Sequence, residues 1–442
     1  MLRRTMMAAI GCVLLLRAAT ADELPGTKPL TAEGDIAAQM VAGIDKYFMR
    51  ELDAAAKGGA ERWRLNTSSK EAYVESIKPN RERLRKLLGV IDERVKPVTM
   101  EYVGTDTPSS LVAETPLYKV YVVRWPVLPG VDGEGLLLEP MNGAKASVVA
   151  LPDADQTPEQ IVGLAPGVAP DSQFARRLTE VGCRVVVPVL IDRKPTSSPS
   201  PILKRDTNIP HREFVWRMAY EMGRQIIGYE VQKVLAAVDW FQAKHSSQPV
   251  GVFGYGEGGL IAFYAGALDP RIKATVVSGV GYGTRGEVWQ EPIDRSVWAS
   301  LPEFRDEHLR LLFGGRMLIF EHSLPPKFEL ANPPGYRQQA AAGRLAPSEL
   351  VRQEIATADS TGRPAVNGIS SAADPVPFDW WTIAPPKGEF GHSVTIAHFI
   401  TAFSFAAMAL THDAPTELRK SNDATPSGHS GGSTWSSAWS AR

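Results

Sequence analysis

Hydrophobic residues near the beginning of the chain recur at helical spacing. Residues 35–57 and 70–88 carry apolar side chains three and four positions apart, which is the pattern of an amphipathic helix. Glycines follow both segments and are typical helix stops. Trp63 lies between the two segments, and we expect its ring to anchor them to the main body of the protein. The pattern therefore predicts a helical extension over residues 22–96.

Beyond residue 97 the pattern changes to short apolar runs typical of strands. The predicted strands are PLYKVYVVRWPVL, GEGLLLEP, ASVVALP, CRVVVPVLI, VGVFG, IKATVVSG and RMLIFEH. From residue 146 onward helical segments separate these runs, and one long helix is predicted over residues 212–244. Apolar strands that alternate with amphipathic helices indicate a mainly parallel sheet with helices on both faces. We therefore predict an α/β fold for residues 97–410.

Two segments interrupt this alternation. Residues 192–212 are rich in Pro and Ser, and residues 281–314 contain Trp289 and Trp298. We expect both segments to be insertions beyond the strand ends, where α/β folds bind ligands. The two tryptophans suit stacking on a sugar ring in a substrate cleft. The alternative is that they are core residues that cover the insertion.

The first residues have the composition of a secretory signal peptide. Two arginines precede the apolar residues 6–16, and Ala19, Thr20 and Ala21 follow, which are the small residues that a signal peptidase needs. We expect cleavage near Ala21 and export to the periplasm or the extracellular space. No later segment is apolar over a length that spans a bilayer. The polar, repetitive residues 411–442 are predicted to be disordered.

Composition argues against several classes of partner. The formal net charge is -1 over 442 residues, whereas a nucleic-acid partner needs a basic face. Signal cleavage would remove Cys12 and leave Cys183 without an intrachain partner, so the fold must rest on a packed core. Cys183 begins an apolar strand and is expected to be buried. The chain has neither HExxH nor CxxC, and we predict no metal and no other cofactor.

One strand-to-helix junction carries a chemical motif with a missing part. The strand VGVFG runs into GYGEGG at residues 254–259, and a helical pattern follows. A hydrolase nucleophile stands at the centre of the turn G-x-S-x-G, whose glycines let the strand and helix backbones approach closely. Every position matches except the centre, which is Gly256. The alternatives are a junction that only permits close packing and a phosphate loop, which would need a Lys and which Glu257 disfavours.

This junction and the order of strands and helices resemble the α/β-hydrolase superfamily over residues 148–410. The resemblance is to secreted acetyl xylan esterases and dienelactone hydrolases in particular. It implies a nucleophile, a carboxylate and a histidine, in that order along the chain. Gly256 stands at the vacant nucleophile position, Glu321 at the end of RMLIFE matches the carboxylate, and His392 in EFGHS matches the histidine.

The resemblance also implies an oxyanion hole made by the backbone N–H of Glu257 and one from the loop at Asp153 and Ala154. Glycine has no side-chain atom to acylate, so an acyl-enzyme has no nucleophile here. Three interpretations stay open. The chain is a relative of carbohydrate ester hydrolases with a degenerate nucleophile turn and a small ester ligand. It is a non-catalytic pseudo-hydrolase that binds a carbohydrate or a protein in the retained cleft. It is a hydrolase in which Glu257, with His392, activates water.

Overall fold

The computed structural model describes most of the chain up to residue 326 and one strand beyond it. The described residues are 25–28, 33–104, 110–195, 199–200, 205–206, 209–280, 291–321, 323, 325–326 and 380–383. The predicted signal peptide, Trp289, His392 and the predicted C-terminal tail lie outside them. The chain divides into two compact units, residues 1–55 and 56–442. Most of helix α1 (Ile36–Gly58) belongs to the first unit.

The remaining elements belong to the second unit. The helices that follow α1 are α2 (Lys70–Ser76), α3 (Lys78–Leu87), α4 (Pro158–Val162), α5 (Phe174–Glu180), α6 (His211–Glu221), α7 (Ile226–Lys244), α8 (Glu257–Leu268) and α9 (Asp306–Leu309). Short 3-10 helices lie at Gly59–Arg62, Pro170–Ser172, Ile293–Arg295 and Arg310–Phe313. The strands are β1 (Glu101–Tyr102), β2 (Leu111–Glu114), β3 (Tyr118–Leu128), β4 (Val131–Pro140), β5 (Ala146–Leu151), β6 (Cys183–Pro188), β7 (Pro199–Ser200), β8 (Arg205–Asp206), β9 (Val250–Tyr255), β10 (Ile272–Ser278), β11 (Met317–Glu321) and β12 (Trp380–Ile383).

One large sheet organises the second unit. Its order among the described strands is β1-β3-β4-β6-β5-β9-β10-β11-β12, and β2 pairs with β3. The pairs β3–β4 and β4–β6 are antiparallel. Every pair from β6 to β12 is parallel. The mainly parallel sheet expected from the sequence is confirmed, and the architecture is that of the α/β-hydrolase fold.

The central strands β5, β6 and β9 are buried along their whole length, because helices cover both faces of the sheet. Helices α3, α7 and α8 pack on one face, and α4 and α5 pack on the other. The carboxyl ends of the parallel strands therefore meet at one edge. In open α/β sheets ligands bind at this edge.

Two segments predicted as continuous helices are each divided in two. The prediction of one helix over residues 212–244 is wrong: α6 ends at Glu221 and α7 begins at Ile226, and Gly223 between them has a φ of +63°. Residues 70–88 are interrupted at Ile77, between α2 and α3. Apolar spacing continues through both interruptions, so periodicity alone did not reveal them.

Trp63 anchors the segment before α2 to the second unit, as the sequence predicted. The indole Nε1 donates a hydrogen bond of 3.1 Å to the carbonyl oxygen of Glu303. The ring packs edge-on against Phe304 and stacks on His308, with centroid distances of 5.8 and 5.9 Å. Arg83 of α3 donates to the Glu303 carboxylate at 2.7 Å. Helices α2 and α3 thus share one unit with the sheet.

Candidate active site

The junction between β9 and α8 is a tight turn with Gly256 at its apex. Gly256 has φ +60° and ψ −124°, a backbone conformation that strains residues with a Cβ. The glycines on either side are required by space. A Cβ on Gly254 would overlap the carbonyl oxygen of Gly258, and a Cβ on Gly258 would overlap the carbonyl oxygen of Pro152. These close approaches bring the first turn of α8 against the ends of β5 and β9.

The apex of the turn is covered by a carboxylate. A Cβ placed on Gly256 would collide with the Asp153 carboxylate and would lie 2.9 Å from Cγ of Pro326. Oδ1 of Asp153 accepts a hydrogen bond of 2.8 Å from the backbone N–H of Glu257. That N–H is one of the two donors that the resemblance assigns to an oxyanion hole. In this structure it binds an oxygen of the chain itself.

The second implied donor site lies on the same loop. The backbone N–H of Asp153 donates to Oε1 of Gln156 at 3.1 Å, and Ala154 beside it is buried. The N–H of Asp155 donates to Oδ2 of Asp153 at 3.2 Å. The loop after β5 therefore directs its hydrogen bonds inward and holds the Asp153 carboxylate against α8.

Arg193, which follows β6, binds the carboxylates of this site. Its Nη1 lies 2.8 Å from Oδ2 of Asp153 and 3.0 Å from Oδ2 of Asp155. Its Nη2 lies 3.2 Å from Oε2 of Glu257. Burial opposes the charge on the guanidinium, but Asp153 and Glu257 outweigh it and raise the pKa of Arg193 above its ordinary value. The guanidinium therefore stays protonated at every physiological pH.

Two more arginines, one from each inserted segment, contact the Glu257 carboxylate. Nη2 of Arg212 lies 3.1 Å from its Oε1, and Nε of Arg295 lies 3.4 Å from its Oε2. The side chains of Glu257 and Arg212 are fully buried. Arg212 also donates to Asp294 at 2.8 Å and to the carbonyl oxygen of Ile191 at 3.0 Å. Glu257 is therefore the centre of a buried ion-pair network.

Glu321 lies at the carboxyl end of β11, next to Ser278 at the end of β10. The Ser278 hydroxyl donates to Oε2 of Glu321 at 2.5 Å, and the Ser323 hydroxyl donates to the same oxygen at 3.0 Å. Burial raises the pKa of Tyr255, and the nearby carboxylates of Asp153 and Glu321 raise it further. Tyr255 therefore lies within the electrostatic reach of both carboxylates.

The structure brings part of the sequence-predicted site together. Gly256, Glu257 and Asp153 are in contact at the apex. Trp298 is 63% exposed, which shows that its ring is not part of the core. The roles implied for Glu321 and His392 stay predictions, because His392 lies outside the described residues.

Sequence reasoning missed the arginines. Arg193 and Arg212 lie at the two ends of the inserted segment 192–212, which the sequence predicts to be an insertion beyond the strand ends. The carboxylates that they bind at the turn, those of Asp153, Asp155 and Glu257, lie at least 38 residues away along the chain, so no local spacing pairs them. The one sequence feature that could have revealed them is the position of Arg193 and Arg212 inside a predicted insertion at the ligand-binding edge of the sheet.

The comparisons with known proteins found similar solved structures but no matching family. No known protein family matches the sequence, and no curated protein matches it. Solved structures similar to this chain include a Bacteroides fragilis NCTC 9343 protein provisionally assigned as an acetyl xylan esterase, at 14% identity and TM-score 0.47, over 67% of this chain and 77% of the other.

Two further solved structures are similar to this chain. A glucuronoyl esterase from Solibacter usitatus has 13% identity and TM-score 0.44, over 75% of this chain and 93% of the other. Acetyl xylan esterase 1 from Thermoanaerobacterium sp. JW/SL YS485 has 12% identity and TM-score 0.39, over 75% and 93%.

Within the described residues, no helix combines the length and apolar character that a membrane crossing needs. In the same part of the chain, no three His, Cys, Asp or Glu side chains are grouped so that they could hold a metal ion.

Proposed function

We propose that this protein is a non-hydrolysing relative of carboxylic ester hydrolases, which binds a small carbohydrate or ester ligand at the carboxyl edge of its sheet. One observation carries the proposal. The carboxylate of Asp153 occupies the space above Gly256 and accepts the hydrogen bond of the Glu257 N–H. An acyl-enzyme would need that space for its nucleophile and that N–H for its oxyanion. The α/β-hydrolase fold supports the relationship to hydrolases.

The free energies of the interactions at the turn favour ligand binding over ester hydrolysis. One oxyanion-hole donor is worth about 2.7–4 kcal/mol in acyl transfer. A substrate oxyanion at the N–H of Glu257 would have to displace Asp153 from that donor and from Arg193. Breaking a buried charge pair costs about 3–5 kcal/mol. The displacement therefore cancels the catalytic gain, and Gly256 supplies no nucleophile in addition.

The ligand class and the location follow from the sequence and from one exposed ring. The indole of Trp298 is exposed and offers an aromatic face for a sugar. The signal-peptide pattern of the first 21 residues supports export. We therefore place the ligand outside the cytoplasm and expect it to be a small neutral sugar or sugar ester.

A second candidate is a slow hydrolase in which His392 activates water directly. The position of Glu321 favours it, because this buried carboxylate ends β11, where the resemblance puts the residue that orients the histidine. Glu257 does not suit the role of base, since arginines bind both of its oxygens. The two candidates differ in whether the unaltered chain turns over an ester.

Turnover of 4-nitrophenyl acetate tests the proposal. Four proteins are compared: wild type, His392→Ala, Gly256→Ser, and Gly256→Ser combined with Asp153→Ala. We expect wild type and His392→Ala to hydrolyse the ester at the same rate as buffer. We expect Gly256→Ser to stay inactive, because the Asp153 carboxylate lies where the serine side chain would begin and binds the Glu257 N–H. Wild-type turnover that disappears in His392→Ala would overturn the proposal and select the second candidate.

A further inference from the structure

A small cavity lies beside the filled apex, on the face of the sheet that α4 and α5 cover. Its volume is about 170 Å³, and its walls include Gln156, Val168, Ala169, Ser172, Phe174 and Tyr255. Tyr255 directly precedes Gly256, and Gln156 holds the N–H of Asp153. The cavity therefore adjoins the apex, but it contains none of the residues to which the hydrolase resemblance assigns a role.

The apolar walls fit a single ring. Phe174 is buried and stacks on Phe253 at a centroid distance of 4.7 Å, so one wall is a fixed aromatic surface. Val168 and Ala169 supply aliphatic contacts. An apolar cavity of about 150 Å³ accommodates benzene. A six-membered ring therefore fits the space, whereas a disaccharide exceeds it.

Two polar groups at the cavity have no hydrogen-bond partner among the described residues. The Ser172 hydroxyl is buried and makes no hydrogen bond among the described residues. The side-chain nitrogen of Gln156 makes none in the same part of the chain either, while its oxygen is used by Asp153. An unsatisfied buried hydroxyl costs about 1–3 kcal/mol. A ligand oxygen that accepts from these two groups would remove this cost.

The charge around the cavity disfavours an anion. Burial raises the pKa of the Tyr255 phenol, and the carboxylates of Asp153 and Glu321 raise it further, so the phenol stays protonated. A ligand carboxylate would be repelled by these two carboxylates, and the guanidinium of Arg193 is already bound to Asp153 and Glu257. A neutral hydroxyl or carbonyl compound carries no charge to be repelled.

We propose that this cavity binds a neutral, ring-sized molecule through a hydroxyl or carbonyl oxygen, held by Gln156 and Ser172 between Phe174 and Tyr255. A phenol and a single sugar ring share this chemistry. The inference rests on the proposed function in one respect, since a protein that binds without hydrolysis needs a ligand site outside the filled apex.

Ligand-observed NMR with the full chain tests the inference with three probes: phenol, methyl β-xyloside and benzoate. We expect phenol or the xyloside to bind and benzoate not to bind. Ser172→Ala should weaken binding about fivefold, the value of one hydrogen bond. Gln156→Glu keeps the acceptor for Asp153, removes the donor and should weaken binding at least as much. Ala169→Trp should fill the cavity and abolish binding.

Ser147→Ala is the matched control. Ser147 is a buried serine at the opposite end of β5, and its hydroxyl is hydrogen-bonded to Gln248. We expect this variant to bind like wild type. Ser172→Ala should melt at or above the wild-type temperature, because it removes an unpaired hydroxyl, so unfolding cannot explain its weaker binding.

Each outcome decides the inference. Binding of phenol alone identifies an aromatic alcohol, and binding of the xyloside alone identifies a sugar. Binding of neither probe, equal binding of benzoate, or unchanged binding in Ser172→Ala and Ala169→Trp would overturn it. Ester turnover in the same samples separates the two proposals. Turnover with intact probe binding overturns only the proposed function, and absence of both overturns only the cavity assignment.

Discussion

Asp153 closes the space above Gly256. The carboxylate of Asp153 lies where a side chain on residue 256 would begin, and it is fixed there by the N–H of Glu257 and by Arg193. The apex of the turn is therefore not empty. A carboxylate fills the space above Gly256 and already uses the backbone N–H of Glu257 as its hydrogen-bond donor.

Gly256→Ala should destabilise the protein by about 4 kcal/mol, from backbone strain and overpacking of about 1–3 kcal/mol each. Gly223→Ala is the matched control, because Gly223 also has a positive φ, of +63°, but nothing lies within 4 Å of its Cβ position. That variant should lose only about 1–2 kcal/mol. Urea unfolding midpoints measure both losses. Equal losses would show that Asp153 does not restrict position 256.

Glu257→Gln should cost about 3–5 kcal/mol of unfolding free energy, because it leaves the buried charges of Arg193 and Arg212 without their shared carboxylate. The matched control is Glu75→Gln, which removes a surface ion pair with Lys78 and should cost less than about 1 kcal/mol. Thermal and urea unfolding of both variants give the comparison. A loss below that of Glu75→Gln would mean that the network contributes no stability.

His308 should make the protein less stable in acid. It is fully buried with both ring nitrogens unpartnered among the described residues. Burial, together with Arg305 and Arg310, lowers its pKa from 6.5 to about 4. Between these values the unfolded chain binds a proton that the folded chain does not. The contribution of the neutral His308 to the free energy of unfolding is therefore complete above pH 6.5, and it falls by about 3 kcal/mol as the pH drops to 4.

The variant His308→Leu isolates this effect from that of the carboxylates. The unfolding free energy of wild type, measured by urea at pH 7, 6, 5 and 4, should fall more steeply than that of the variant. The difference between the two curves should be confined to the range below pH 6.5. Parallel curves over the whole range would show that the imidazole takes up a proton in the folded state as readily as in the unfolded one.

The helical segment before the sheet should be indispensable. Ile77, Leu84 and Leu88 are fully buried in the core of the second unit. A truncated chain of residues 97–442 would lose them and should be insoluble or lack a cooperative thermal transition, whereas residues 56–442 should melt cooperatively. A cooperative transition in the shorter chain would contradict this expectation and support the boundary that the sequence predicts at residue 97.

The central strands and the glycine-rich turn around Gly256 were predictable from the sequence because their signals are local. β9 is a continuous apolar run, and the glycines of the turn follow it at fixed spacing. The content of the site was not predictable in the same way. Arg193 and Arg212 bind Asp153 and Glu257 only after the chain has brought three strand ends together, and charged residues in a Pro-rich segment have the composition of a solvated loop. The helix break at Gly223 was missed because the apolar period continues past it.

The Asp153–Gly256 contact also sets the order in which related chains can diverge. A serine at position 256 is compatible with this backbone only after Asp153 has been replaced, and loss of Asp153 leaves Arg193 with one buried carboxylate fewer. Positions 153, 193 and 256 should therefore co-vary among homologues. A chain with serine at the apex should carry a small residue in place of Asp153, and intermediates that combine Asp153 with serine should be absent.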